Sequence, residues 1–190
     1  MDNGDCELQI VKLLNQKDNQ AARQIYDAYA GYLAGVCARY ISDDDDLKDV
    51  LQDSFIKIFS SLASFKYKGK GSLKAWLARI VANQSLNFLK EKGRLKFVPI
   101  TNQTDEIESP GVDIGIIPES VLLQMIRELP SGYRVVFNLR VYEEKSHKEI
   151  AKMLDIRVNS SASQFLRAKA LLAEKIREYI NQEISTSHGR

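Results

Sequence analysis

Residues 65–72, Phe65-Lys66-Tyr67-Lys68-Gly69-Lys70-Gly71-Ser72, interleave aromatic rings, lysines and glycines. Lysines meet phosphate charge and an aromatic ring stacks on an unpaired base, so this chemistry suits single-stranded nucleic acid. Arg79, Asn83, Asn87, Lys90 and Arg94 follow at spacings of 4, 4, 3 and 4. On a helix they form one polar, mostly cationic stripe, with amides placed to hydrogen-bond a base. The loop is not a Walker A phosphate loop, because the required earlier glycine is missing. Trp76 beside it suits a hydrophobic core better than a stacking platform.

A second pattern lies near the C-terminus. Ser146-His147-Lys148-Glu149 has the form of a capping box, opening a short helix with Ile150, Ala151 and Leu154 inward. The connection 155–158 leads to a helix bearing Ala162, Phe165, Leu166, Ala168, Lys169, Leu172 and Ile176. Short helix, tight turn and longer helix is a helix-turn-helix arrangement. Its second helix must fit a major groove about 12 Å wide and present short polar groups to base edges. Asn159, Ser160, Ser163, Gln164 and Arg167 are the candidates, although a purely structural helical hairpin has the same outline. A third pattern is Asp49, Gln52, Asp53 and Ile56, on the outward face of a helix over 45–62. An isoleucine framed by acids and an amide suits a partner protein, though a lone exposed isoleucine is also ordinary.

Catalytic and metal-binding constellations are missing from this reading. Two cysteines, Cys6 and Cys37, cannot make a disulfide framework, and His147 and His188 lie far apart. His147 suits a helix surface better than a general base. The expectation is a protein that is not an enzyme and holds no metal or cofactor.

The elements that position these residues read as helices almost throughout. Over 45–62, Leu47, Val50, Leu51, Ser54, Phe55, Ile58, Phe59 and Leu62 fall on one stripe. Ser42 and the acidic run 43–46 offer an N-cap and favourable charge at the positive end of the helix dipole. A helix over 21–40 puts Ile25, Tyr29, Leu33 and Val36 inside, and residues 5–15 form a short leading helix. Ser72 is placed to cap a fourth helix with Leu73, Trp76, Leu77, Ile80, Val81, Phe88 and Leu89 as its apolar positions, and Gly93 ends it. From 94 to 118 prolines, glycines and polar residues read as a linker. Helical stripes resume with Val121, Leu122, Met125, Ile126 and Leu129, stopped by Pro130, then with Tyr133, Val136, Phe137 and Arg140. The fold class is all-α, with two small helical domains joined by a flexible linker.

Composition agrees. The 190 residues are 44% hydrophobic and 27% charged with a net charge of +2, an ordinary globular balance that excludes collagen and wholesale disorder. Apolar runs such as 31–38 fall far short of the ~20 residues a membrane span needs. Residues 1–5 are acidic where a secretory signal is basic, so the expected location is the cytoplasm. The small net charge hides blocks: residues 61–98 hold nine basic side chains against Glu91 alone, and residues 1–60 hold eleven acidic against six basic. Residues 99–128 hold six acidic against Arg127, and residues 129–190 eleven basic against seven acidic. Such runs are commonly solvated faces; the alternative is two anion-binding modules around an acidic spacer.

Read in order, these segments resemble the sigma-70 family of RNA polymerase sigma factors, in its small extracytoplasmic-function (ECF) group. The run from Leu47 through Phe59 is similar to the family's region 2.2 helix, and Gly71 through Asn83 to its region 2.3–2.4. Leu129-Pro130, Ser146 through Leu154, and Arg167-Ala168-Lys169 are similar to region 4. The resemblance implies region 2 over 1–95, a linker over 96–117, region 4 over 118–182 and a tail over 183–190. It implies that Asp49, Gln52, Asp53 and Ile56 dock the clamp helices of the polymerase's largest subunit. It further implies promoter DNA as partner: Phe65, Lys66, Lys68, Lys70, Ser72, Arg79, Asn83 and Asn87 would capture an unpaired −10 base. Lys90, Lys92 and Arg94 would hold phosphates, and Ser160, Ser163, Gln164 and Arg167 would face the −35 element. An anti-sigma partner, potentially membrane-anchored, and a monomeric chain that does not itself enter the membrane belong to the same implication. Asp155 and Arg157 depart from common family residues, so the recognition helix is expected to begin at Asn159 or Ser160; Ser161 replaces a common valine, and Ala162 stands at an often basic position, which removes one DNA contact. The rival readings are a stand-alone helix-turn-helix regulator and a helical protein-interaction module that binds nucleic acid non-specifically.

Overall fold

The computed structural model describes residues 3–16, 18, 20–97 and 117–187. Among them the chain is all-α: eight helices, one short 3-10 turn and no strand. It divides into two units, Met1–Lys92 and Gly93–Arg190.

In the first unit α1 (Asn3–Asn15) packs on α2 (Gln20–Ala38), and α3 (Asp44–Ser61) and α4 (Ser72–Glu91) pack on α2 and on each other. Ile25, Tyr29, Leu33 and Val36 of α2 are buried as the helical period predicts. On α3, Val50, Ser54, Phe55 and Ile58 are buried, and Leu47 and Leu51 half-buried. Phe59, expected inside, is instead 37% exposed at the edge of that stripe. The cap of α3 is Asp43 rather than Ser42: its Oδ1 accepts from the amides of Asp45 at 3.1 Å and Asp46 at 3.0 Å. Asp44, Asp45 and Asp46 in the first turn add negative charge where the exposed amides favour it. A 3-10 turn, Leu62–Ser64, leads out of α3.

Helix α4 buries Leu73, Leu77, Val81, Ala82, Leu86 and Leu89, and half-buries Trp76, Ile80 and Phe88. Gly93 (φ 61°) ends it in the left-handed region, as glycine best can. Arg94 therefore lies beyond the helix, and the expected stripe stops at Lys90.

In the second unit α8 (Val158–Ser187) packs against α5 (Glu119–Arg127), α6 (Ser131–Val141) and α7 (His147–Leu154). Met125, Ile126, Leu129, Tyr133, Ala168 and Leu172 form one cluster of its core. Arg134, among the apolar residues of α6, is buried. Its guanidinium donates to the carbonyl of Arg127 and, at 3.3 Å, to that of Leu129. A cation there meets the negative end of α5 and the carbonyls that helix leaves unpaired. Desolvation, then the Arg127 charge, pulls the Arg134 pKa below its ordinary value.

The segment after α4 is sewn to α6. Ser131 Oγ donates to the Arg94 carbonyl at 2.6 Å and accepts from the Lys96 amide at 3.1 Å. Gly132 makes room: a Cβ there would lie 2.5 Å from the Lys96 carbonyl oxygen and 3.0 Å from Phe97 Cδ1. Gly132→Ala is thus expected to push residues 94–97 off α6 and to destabilise the second unit by about 1–3 kcal/mol. Urea unfolding and amide exchange at Lys96 check this.

Candidate nucleic-acid interface

The basic loop is held tightly. Gly69 (φ 112°) and Gly71 (φ 86°) adopt conformations that side chains resist. The Lys68 amide donates to Ser72 Oγ at 3.1 Å, and the Ser72 amide to the Gly69 carbonyl at 3.1 Å. Ser72 is the first residue of α4 rather than its cap; Gly71 occupies the cap position and offers no side chain. Glu7 of α1 supplies the missing acceptor, taking the Gly71 amide at 2.6 Å and the Leu73 amide at 2.8 Å.

Lys66, Lys68 and Lys70 are exposed on the loop, and Arg79, Asn83, Asn87 and Lys90 on α4. The turn of 100° per residue brings Arg79, Asn83 and Asn87 into one row, as their four-residue spacing predicts. Phe65 is half-buried, its ring 5.3 Å from that of Trp76. The loop's more exposed aromatic is Tyr67, at 39%, and it is better placed to stack on a base than Phe65. Trp76 is half-buried rather than fully in the core. Lys74 Nζ sits 4.2 Å above the Tyr32 ring, a cation–π contact.

Asp49, Gln52, Asp53 and Ile56 share an exposed face of α3, with Ile56 60% exposed. Phe59 extends this patch by a turn and packs on Phe55 at 5.7 Å, which packs on the exposed Tyr26 at 4.9 Å. Counting Phe59 with the buried stripe hid its exposure; its position three residues after Ile56 is the signal that places it here.

In the second unit Ser146 and Glu149 form the capping box predicted for α7: the Ser146 amide donates to Glu149 Oε2 at 2.8 Å, and Ser146 Oγ accepts from the Glu149 amide at 3.3 Å. The Ser146 hydroxyl also donates to Glu149 Oε2 at 2.7 Å, and the hydrogen bonds from the Ser146 amide and hydroxyl to this carboxylate hold its pKa below the usual value. Asp155 (φ 54°, ψ 49°) takes the left-handed conformation that ends α7, one that a short polar side chain tolerates. α8 then begins at Val158, a residue or two earlier than expected, with the Ser161 amide donating to the Arg157 carbonyl at 3.1 Å.

That phase sorts the recognition residues. Ser161, Gln164, Ala168 and Leu172 form the buried row of α8. Gln164, expected to face DNA, is 1% exposed, with Oε1 3.3 Å from where a Gly132 Cβ would stand. It packs inward because the 3-4-4 spacing running from Ser161 through Ala168 to Leu172 puts it there. The same geometry sets Asn159, Ser163 and Leu166 opposite that row, with Ser160 and Arg167 on its flank. Arg167 Nη1 lies 3.5 Å from the Tyr133 hydroxyl. Arg94 does not join the α4 row; its backbone is bound to Ser131 in the second unit.

His147 couples the two helices. Its Nδ1 lies 2.9 Å from Ser161 Oγ, and its ring 5.8 Å from that of Phe165. Phe165 in turn stacks on Phe137 at 6.1 Å. The half-buried imidazole is a packing and hydrogen-bonding element between α7 and α8.

Both units match family models. One described as Sigma-70 region 2 covers residues 25–95, and one described as Sigma-70, region 4 covers residues 120–172. An ECF RNA polymerase sigma-E factor of Haemophilus influenzae is 29% identical over 182 residues, 88% of this chain and 93% of that protein. Sigma-E factors of Salmonella typhimurium and Escherichia coli are each 28% identical over 188 residues, 91% of this chain and 95% of theirs. The chain belongs to the sigma-70 family of RNA polymerase sigma factors, in the ECF group. Its partners are accordingly RNA polymerase core and promoter DNA, and the stand-alone regulator and interaction-module readings are not favoured. Among the described residues no helix is long and apolar enough to cross a membrane.

The His147 site has a consequence for stability. Burial, and secondarily the Arg140 charge, lowers the His147 pKa below its ordinary 6.5. The unfolded chain then takes up the proton first as pH falls. Stability from this group is complete above about pH 6.5 and declines below it. Urea unfolding of the second unit at about pH 7 and about pH 5 is expected to show this decline, and His147→Gln to reduce it.

Proposed function

We propose that this sigma factor divides promoter opening between its two units as follows. The α3 face of Asp49, Gln52, Asp53 and Ile56, extended by Phe59, docks the clamp helices of the polymerase core. The α7–α8 pair anchors on duplex −35 DNA, mainly through phosphates, with Asn159, Ser160, Ser163 and Arg167 near base edges. The loop over 65–72 and the α4 row of Arg79, Asn83 and Asn87 then capture a −10 base that has left the stack, while Lys90 and Lys92 meet backbone phosphate.

Extruding a base costs a few kcal/mol. Stacking on Tyr67 and hydrogen bonds from the Asn83 and Asn87 amides offset that cost, so the open state gains population with no bond made or broken by the sigma factor. The observation that carries this reading is the presence, on two helices packed together, of an exposed acidic face centred on Ile56 and an exposed cationic and amide row beside a rigid lysine loop. One surface suits a protein and the other a nucleic acid strand.

Regulation follows from the same surfaces. A membrane-anchored anti-sigma partner that covers both would hold the monomeric chain inactive in the cytoplasm, and the proline- and glycine-containing stretch over 96–117 would serve as the linker between regions 2 and 4.

Transcription in vitro with polymerase core tests the division of labour. Asn83→Ala is expected to lower open-complex formation about tenfold with core affinity unchanged. Asp53→Arg is expected to weaken core binding by at least about tenfold while leaving capture of a −10 strand by the free protein intact. Loss of core binding by the Asn83 variant would overturn the assignment of faces, and failure of the wild-type chain to initiate on any promoter of a library would overturn the whole reading.

A further inference from the structure

A loop that catches a single base must be held in place before the base arrives, or the binding energy is spent ordering it. Phe65 anchors one end of residues 65–72 on Trp76, but the other end has two glycines in the left-handed half of backbone space and a helix start with no side-chain cap. What fixes that end comes from α1. Glu7 is only 3% exposed, and each of its carboxylate oxygens takes one amide, Oε2 that of Gly71 and Oε1 that of Leu73. These donors lie 64 and 66 residues away in sequence.

The pairing is strong for two reasons. Amides at a helix start have no partner within the helix, so a buried start needs an outside acceptor. An ionised acceptor also meets the positive end of the helix dipole, and hydrogen bonds to a carboxylate exceed those to a neutral group. Glu7 satisfies the amides on both sides of Ser72, the residue whose hydroxyl closes the loop onto Lys68. With that helix end occupied, phosphate contact is left to the exposed Lys66, Lys68 and Lys70. The region 2 match begins at residue 25, so it says nothing of α1.

We propose that Glu7 is a positioning residue for −10 strand capture: α1 acts as a latch that sets the loop over 65–72 and the start of α4 in the geometry the base requires. Glu7 itself touches no DNA. The proposal rests on the reading of this loop as the base-capturing element.

The test uses the full chain and a fluorescein-labelled oligonucleotide carrying the non-template −10 strand of a promoter mapped with the wild-type protein. Glu7→Gln is expected to weaken oligonucleotide binding roughly tenfold, at a temperature where circular dichroism shows the variant fully folded. Core-polymerase affinity is expected to stay at the wild-type value, which a general loss of structure would not allow. Glu7→Asp keeps the charge with a shorter reach and is expected to bind between the wild type and the Gln variant. In the unaltered chain the Gly71 and Leu73 amides should exchange hydrogen more slowly than that of Lys66; equal rates would overturn the latch whether or not the variants fold. Undiminished binding by both Glu7 variants, with Asn83→Ala binding weakly, would overturn the role of Glu7 alone. Undiminished binding by Asn83→Ala as well would overturn the base-capture reading and this proposal with it.

Discussion

The working surface of the first unit depends on one interaction, the carboxylate of Glu7 shared between the amides of Gly71 and Leu73. It answers a general constraint: a helix leaves its terminal backbone groups unpaired, and a terminus set inside a protein must find partners for them. The same constraint is met elsewhere in the chain by Asp43 at α3, by Ser146 at α7, and by the Arg134 guanidinium at the end of α5. Each of these termini adjoins a segment that matters: the acidic face, the helix-turn-helix, and the turn between α5 and α6. Capping here fixes not only where a helix begins but where its neighbouring loop stands, and that is how small helical units obtain rigid surfaces.

Charge is the second organising quantity. The net value of +2 conceals opposite local fields, and at physiological salt a Debye length of about 8 Å lets neighbouring faces act almost independently. The acids at the start of α3 stabilise that helix and also give it a face unlike that of α4. Binding that relies on the exposed Lys and Arg side chains would weaken steeply with salt, whereas docking around Ile56 would be less sensitive because much of its contact is apolar.

What could be read from the sequence was what is local. The stripes of α2 and α4 follow from the helical period, the Ser146–Glu149 box spans four residues, and Gly93 marks its own stop. The all-α class was legible for this reason, and so was the placement of the loop over 65–72, the exposed face of α3 and the α7–α8 pair. The Glu7 cap was not, because nothing near residue 7 signals a partner more than sixty residues away. Arg94 was misplaced by extending a spacing past the glycine that ends the helix, and Gln164 by weighing its chemistry above its phase. A glutamine looks like a base reader, but its register with Ala168 and Leu172 makes it part of the packing. Asp43 displaced Ser42 as cap because adjacent residues with similar side chains compete for one position, and backbone geometry decides between them.

The buried row of α8 has a consequence for how such a protein changes its targets. Ser161, Gln164, Ala168 and Leu172 commit one side of the helix to folding, so substitutions on the opposite side, at Asn159, Ser163 and Leu166, leave the interior of the unit as it is. On the proposed reading of α8 as the duplex-reading helix, divergent copies of this chain would come to differ in promoter choice through a few such outward substitutions while keeping the same interior.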